Sequence, residues 1–426
     1  MGDNSYGIPK ALVDHVEPGG APAPVRSTQG QNDTSELPAF RPTVGIDNAD
    51  VSLSVIHEGN VDASALDALE RSGNGTLAAA GYFVAGRYEE ERKHNNAART
   101  YFERALGFSP DNASILTHYA AILIQAGAYY EAASAADRAV RLVPNSPDAL
   151  AILGYAQFAS DHSDQAVQSW QRSLALRPDP MVQRYLDKAR RELAAEASFS
   201  QRETGHFTLR YEGKQTGDDF RRELLENLEE DYRQLVRDLD VTPHASIPVI
   251  LYSEQAFFDV TQAPGWTGAL NDGKLRIPIR GLSSVTPELS HVLKHELAHS
   301  FINRLSRGRC PQWLHEGIAQ LLEPRTSANF GRRLGRAFNT QHAIPFNSLE
   351  GGFVGFSAME ANLAYSESLA AAEYLNDTYG MSDLRRILER IGEGSSAEAA
   401  LRSTIHTDYG HLETEVGKFL QNKYGE

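Results

Sequence analysis

Apolar and polar positions follow four different regimes along the chain, and each regime predicts a different kind of structure. Residues 1–50, with Pro18-Gly19-Gly20-Ala21-Pro22-Ala23-Pro24 and a polar run from Ser27 to Glu36, hold no sustained period. They are expected to form an extended tail or linker, with masking of a site elsewhere in the protein as the alternative. From about Leu77 the chain turns to Ala, Leu and Tyr at amphipathic spacing, and Pro110, Pro144 and Pro178 recur every 34 residues. Aligned on those prolines, Gly86, Ala120 and Gly154 share one column, Ala98, Ala132 and Ala166 a second, and Phe102, Ala136 and Trp170 a third. A period of 34 is that of a helix-turn-helix unit: small residues let paired helices approach, a large residue fills the gap between units, and proline ends the second helix. Three units are expected over about 79–180, with Met181 to about Ala197 as a capping helix and Val61–Arg71 packed on the front.

Past Ser200 the period changes. His206-Phe207-Thr208-Leu209-Arg210-Tyr211 alternates as a strand does, Ile247–Tyr252 reads as a buried strand, and a long amphipathic helix lies between them, from about Gly217 to Leu239. Asn271-Asp272-Gly273 predicts a turn between Trp266-Thr267-Gly268-Ala269 and Lys274–Ile279. Pro278 cannot donate to a ladder, which places that second strand at a sheet edge. Thr286-Pro287 starts a helix that Gly308 stops, and its apolar residues cover most of its circumference, the mark of a buried helix.

Composition narrows the possible functions. With 41 Lys and Arg against 56 Asp and Glu, the net charge of −15 repels phosphate backbones, so nucleic acid is not an expected partner. The single cysteine, Cys310, rules out an internal disulfide and a cysteine-built zinc site, so any metal must rest on His and carboxylate. No apolar run reaches the roughly 18 residues of a spanning helix, and the first residues lack a secretory layout. A soluble chain is expected, with its compartment left open between cytoplasmic and, if a leader has been removed, extracytoplasmic.

The buried helix carries His295-Glu296-Leu297-Ala298-His299. Histidines four apart lie on one face about one turn apart, so both imidazoles can reach one ion, and Glu296 is placed to take a proton from an attacking water. Chance supplies about 0.03 such pentapeptides in a chain of this composition. A zinc site that keeps an open position needs a third protein ligand. Glu316, 17 residues past His299 on a returning helix that begins near Pro311, can provide it. His291 is a weaker rival because it lies about 12 Å along the axis from His299, and His315 points about 100° away from Glu316.

Two resemblances follow from these residues. The 34-residue columns resemble the tetratricopeptide repeat. His295-Glu296-x-x-His299, followed by Trp313-Leu314-x-Glu316-Gly317-x-Ala319, resembles the gluzincin branch of zinc metallopeptidases, and more narrowly bacterial tetratricopeptide proteins with a peptidase domain of that superfamily. The second resemblance implies one zinc ion on His295, His299 and Glu316, with Glu296 as general base and a substrate chain antiparallel along Lys274–Ile279. Tyr365, in Ala364-Tyr365-Ser366-Glu367-Ser368-Leu369, matches the family's downstream tyrosine and is the candidate for oxyanion stabilisation. Where thermolysin-like enzymes place an acid four residues after the glutamate ligand, this chain has Gln320. No Gly-x-Met-Glu-Asn motif is found, so an aminopeptidase is not supported.

The fold class expected is α+β, mostly helical: a tail (1–50), a pre-repeat segment (51–76), a tetratricopeptide array with capping helix (77–198), and a zinc metallopeptidase domain (199–426) with a small mixed sheet and an active-site helix. The function expected is an endopeptidase acting on a protein or peptide, with a protein partner recruited through the array. The alternative is a non-catalytic tetratricopeptide adaptor whose peptidase-like domain only binds. Cys310 is read either as a latency thiolate or as a small packed residue, and Gly351–Phe356 either as a lid or as an ordinary loop.

Overall fold

A computed structural model describes residues 55–425, apart from 93, 244–245, 262–268, 272, 280, 341 and 354–355. The expected tail, the residues Trp266–Gly268 of the hairpin, and Val354–Gly355 of the glycine-rich loop lie outside the described residues.

The chain opens with a small hairpin, β1 (Ile56–His57) and β2 (Asn60–Val61), and a helix, α1 (Ala63–Arg71). Helical hairpins follow: α2 (Gly75–Glu91) with α3 (Asn95–Phe108), α4 (Ala113–Gln125) with α5 (Tyr129–Leu142), and α6 (Pro147–Ala159) with α7 (Ser163–Leu176). The helix α8 (Pro180–Glu196) closes the row. The second helices start at Asn95, Tyr129 and Ser163, 34 residues apart each time. Ala98, Ala132 and Ala166 are fully buried where these helices meet their partners. Side chains fill the gaps above the small column: a Cβ on Gly86 would lie 2.6 Å from the Phe102 ring, and one on Gly154 2.6 Å from the Trp170 indole. Arg138 and Arg172, again 34 apart, donate to the carbonyls of Pro110 and Pro144 and tie each unit to the turn before it.

The remaining elements build an α+β unit. Five strands form one sheet in the order β3-β4-β5-β7-β6: β3 (Ser200–Glu203), β4 (Phe207–Tyr211), β5 (Ile247–Tyr252), β6 (Leu270–Asn271) and β7 (Leu275–Pro278). The β4/β5 and β5/β7 pairs are parallel and the two outer pairs antiparallel. The helix α9 (Asp218–Leu239) connects β4 to β5, and α10 (Glu254–Thr261) follows β5. Then come α11 (Pro287–Ser306), α12 (Gln312–Leu322), α13 (Gly331–Asn339), α14 (Ala358–Tyr379), α15 (Met381–Gly392), α16 (Ala397–Ile405) and α17 (Tyr409–Tyr424). The chain is thus α+β and mostly helical, with 17 α-helices among the described residues. No helix among them is long and apolar enough to cross a membrane.

Strand periodicity divides the sheet into two unlike faces. Leu209, Val249, Leu251, Leu275 and Ile277 meet Phe220, Leu224, Leu293 and Phe301 from α9 and α11 in the main core. The other face presents Arg210, Tyr252, Lys274 and Arg276 to the helical array. Lys274 bonds Glu192 and, at 2.9 Å, Ser163. Arg276 bonds Glu192 at 2.7 Å and the Tyr252 hydroxyl at 2.9 Å. Arg210 pairs with Asp161.

The edge position expected for Lys274–Ile279 is corrected. The strand β7 is second from the edge, because Leu270 and Asn271 pair with Arg276 and Leu275. The proline argument still holds locally: the Ile279 amide donates to the Tyr252 carbonyl, so the nitrogen of Pro278 faces the other side, where β6 has already ended.

Candidate metal centre

The two histidines of the motif reach the core because α11 is capped and buried over most of its circumference. Thr286 accepts from the Leu289 amide at 3.2 Å, Pro287 occupies the first turn, and Arg307 and Gly308 both take left-handed conformations to end the helix. That tight stop returns the chain as α12, which carries Glu316 back beside α11. Gly317 makes room for the next layer, since a Cβ there would lie 2.2 Å from the Ser368 carbonyl oxygen of α14.

His295, His299 and Glu316 come together as a buried group whose ligand atoms all lie within 4.8 Å of one another. The His295 Nε2 is 3.5 Å from one Glu316 oxygen and the His299 Nε2 is 4.0 Å from the other. Two imidazoles and a carboxylate are a donor set suited to a metal that prefers nitrogen and oxygen. The set fits a cation on electrostatic grounds as well. Glu316 and Glu323 are buried beside two imidazoles, and such burial is favourable only with positive charge among them. Burial opposes a charge on His295, but hydrogen bonds and charge from Glu316 and Glu323 outweigh it and push its pKa up to about 10. A protonated His295 supplies that positive charge when no metal is bound. Burial, with the charges of His315 and His295, holds His299 well below the usual histidine value.

Glu323 is the residue that sequence reasoning missed. Its Oε2 lies 2.9 Å from the His295 Nδ1, while Arg325 pairs with its other oxygen. A carboxylate on the outer nitrogen orients the ring and raises its basicity as a ligand. The signal was present, because Glu323 is seven residues past Glu316 and therefore nearly two full turns further along the same face. Gln320, four residues past Glu316, instead donates to the backbone carbonyls of Tyr365 at 3.0 Å and Glu316 at 3.3 Å. A second side chain steadies Glu316 itself: Gln312 donates to its Oε1 at 3.0 Å.

The other candidates are placed as follows. Glu296 is fully buried on α11. Tyr365 is half-buried on α14, edge-on to Phe353 with ring centroids 5.3 Å apart. Burial, with the charges of Glu316 and Glu296, raises its hydroxyl well above the usual tyrosine value, so that it remains a donor. His291 is exposed and outside the cluster. His315 does not point away into a separate environment: its ring stacks on His299 with centroids 4.6 Å apart, and burial and the charge of His295 lower its pKa to about 3. Burial raises the Cys310 thiol well above its usual value, which keeps it protonated, and it is not among the clustered ligands.

The Peptidase MA superfamily model matches residues 230–422, from the second half of α9 through α17. This supports a metallopeptidase-like domain over the part of the chain that holds the cluster. No curated protein matches the chain.

Proposed function

We propose that the chain is a zinc-dependent endopeptidase of the gluzincin type, with His295, His299 and Glu316 holding one zinc ion. The observation that carries this reading is the convergence of those three side chains from two helices, within the stretch that matches the Peptidase MA superfamily. A bound zinc would polarise the scissile carbonyl and bring the pKa of an attacking water down to about 7. Glu296, adjacent to the first ligand, takes the proton from that water and passes it to the departing amine. Tyr365, kept protonated by its surroundings, donates its hydroxyl to the developing oxyanion. Glu323 fixes the ring of His295, and Gln312 fixes the carboxylate of Glu316.

In this reading residues 1–50 are a tail, 51–76 a segment preceding the repeats, 77–198 a tetratricopeptide array with its capping helix, and 199–426 the peptidase domain. The spacing of the second helices and the filling of the small column by Phe102 and Trp170 support the assignment of the array. Such arrays bind polypeptides, so the array recruits a protein partner or a protein substrate.

The test is a Glu296→Gln variant assayed on a peptide library. The expected outcome is one equivalent of zinc retained and hydrolysis lost. Undiminished hydrolysis by that variant rejects the mechanism, and a wild-type protein that holds no zinc favours an adaptor that only binds.

A further inference from the structure

The elements that present the metal cluster are held by the helical array at two separate places. The first is the turn between α11 and α12, which sets how the helix bearing the two histidines meets the helix bearing Glu316. Arg99 of α3 donates to the Arg307 carbonyl, and Asn96 of α3 donates to the Arg309 carbonyl at 3.1 Å. The Arg309 guanidinium pairs with Glu103 of α3 at 2.8 Å and donates to Thr100 at 3.3 Å. Gly308 sits so close to the turn between α4 and α5 that a Cβ would lie 1.9 Å from the Ala126 carbonyl oxygen. Arg99 and Arg309 are both buried, 5% exposed each, while Asn96, Thr100 and Glu103 hold them from the exposed rim of α3.

The second place is the middle of α11. Asn271 of β6 donates to the Glu296 carbonyl at 2.9 Å and to the Ser300 hydroxyl at 3.3 Å. The neighbouring strand β7 is fastened to the array through Lys274 and Arg276, both fully buried and both bonded to Glu192 of α8.

We propose that the array is a working part of the metal site: Arg99 and Glu103, about 200 residues from the ligands in sequence, are positioning residues that set the separation of His295 and His299 from Glu316. The inference rests on the metal-site reading above. A module that only recruited substrate would need no contact with the connection between the two ligand helices, whereas this one grips it.

The experiment measures zinc affinity of the full chain by chelator competition, alongside far-UV circular dichroism, for wild type, Glu103→Ala, Glu103→Gln and Arg138→Ala. Glu103→Ala leaves Arg309 and Arg99 without their carboxylate and is expected to weaken zinc binding by a factor of about 2–30, the range for a change transmitted through packed elements. Glu103→Gln, which retains an acceptor and folds where the alanine variant fails to, is expected to fall between. Arg138→Ala, which removes an array contact to Pro110 and Asp111, is expected to bind as wild type does. Wild-type affinity in folded Glu103→Ala or, if that variant does not fold, in Glu103→Gln overturns the proposal. So does equal weakening in Arg138→Ala, which would mark the effect as general loosening. A wild-type chain that binds no zinc overturns the metal-site reading itself, and the two failures are thereby told apart.

Discussion

The Glu323 carboxylate lies 2.9 Å from the Nδ1 of His295, and so directs the opposite ring nitrogen toward Glu316. The relationship orients the His295 ring, and when the ring gives up one proton it keeps the other on Nδ1 and leaves Nε2 free to ligate. Glu323→Ala is expected to lower zinc affinity by about 10–100-fold, with Glu323→Gln milder because an amide oxygen still accepts from the ring. Chelator competition measures both, and an alanine variant that binds at wild-type strength removes Glu323 from the site.

Tyr365→Phe separates transition-state stabilisation from binding. Loss of one oxyanion donor costs about 10²–10³ in kcat, with zinc content and KM unchanged. Since burial and the charges of Glu316 and Glu296 raise the Tyr365 hydroxyl well above its usual value, no loss of rate below about pH 10 is assigned to its ionisation. A Tyr365→Phe variant that loses the alkaline limb of a profile falling near pH 8 contradicts that assignment.

Glu367 makes stability depend on pH. Burial raises its pKa to about 8, despite hydrogen bonds from the Ile344 amide, and the nearby Glu413 adds to the shift. A carboxyl with a raised folded pKa stabilises the fold below its unfolded value near 4.5, and that contribution is lost as pH rises toward 8. Glu367→Gln is therefore expected to melt higher than wild type at pH 8–9 and to lose the advantage near pH 4. A constant difference across that range rejects the assignment.

Glu192 works in the opposite sense. Burial opposes its charge, but Arg276 and Lys274 prevail and bring its pKa down to about 2. Its contribution is present above the unfolded value and is lost as pH falls from about 4.5 toward 2. Glu192→Ala removes the carboxylate shared by two buried cations, although Lys274 keeps Asp161 at 3.3 Å, and is expected to destabilise the protein by about 3 kcal/mol. Denaturant unfolding at pH 7 measures the loss, and a change under 1 kcal/mol would show that the network is solvated in solution.

Local patterns made much of this legible. The Thr286-Pro287 start, the Gly308 stop and the four-residue spacing of the histidines lie within one helix, and α11 spans the same Pro287–Ser306 that those signals predict. The strand β3 escaped because its four residues are polar and exposed, leaving no alternation to read. The start of α14 went unread as well, although Ser357 and Glu360 form a capping box there. The buried pairing of Lys274 and Arg276 was not legible, because their partner Glu192 lies 82 and 84 residues away. No local period encodes a contact at that separation, and the same holds for Arg99 and the Arg307 carbonyl, 208 residues apart.

Two neighbouring turns of the array touch the C-terminal half at once. Ala126 packs on Gly308, and Ala159 packs on Gly273, where a Cβ would also lie 1.9 Å from the carbonyl oxygen. The two footholds are one repeat apart, so the sheet and the ligand helices together measure the height of a single repeat. Duplicating or deleting a unit between them would move one foothold off its glycine, and α8 seals the far end through Glu192. Because α3 already grips the turn after α11, the array can lengthen without disturbing this fit only ahead of α2.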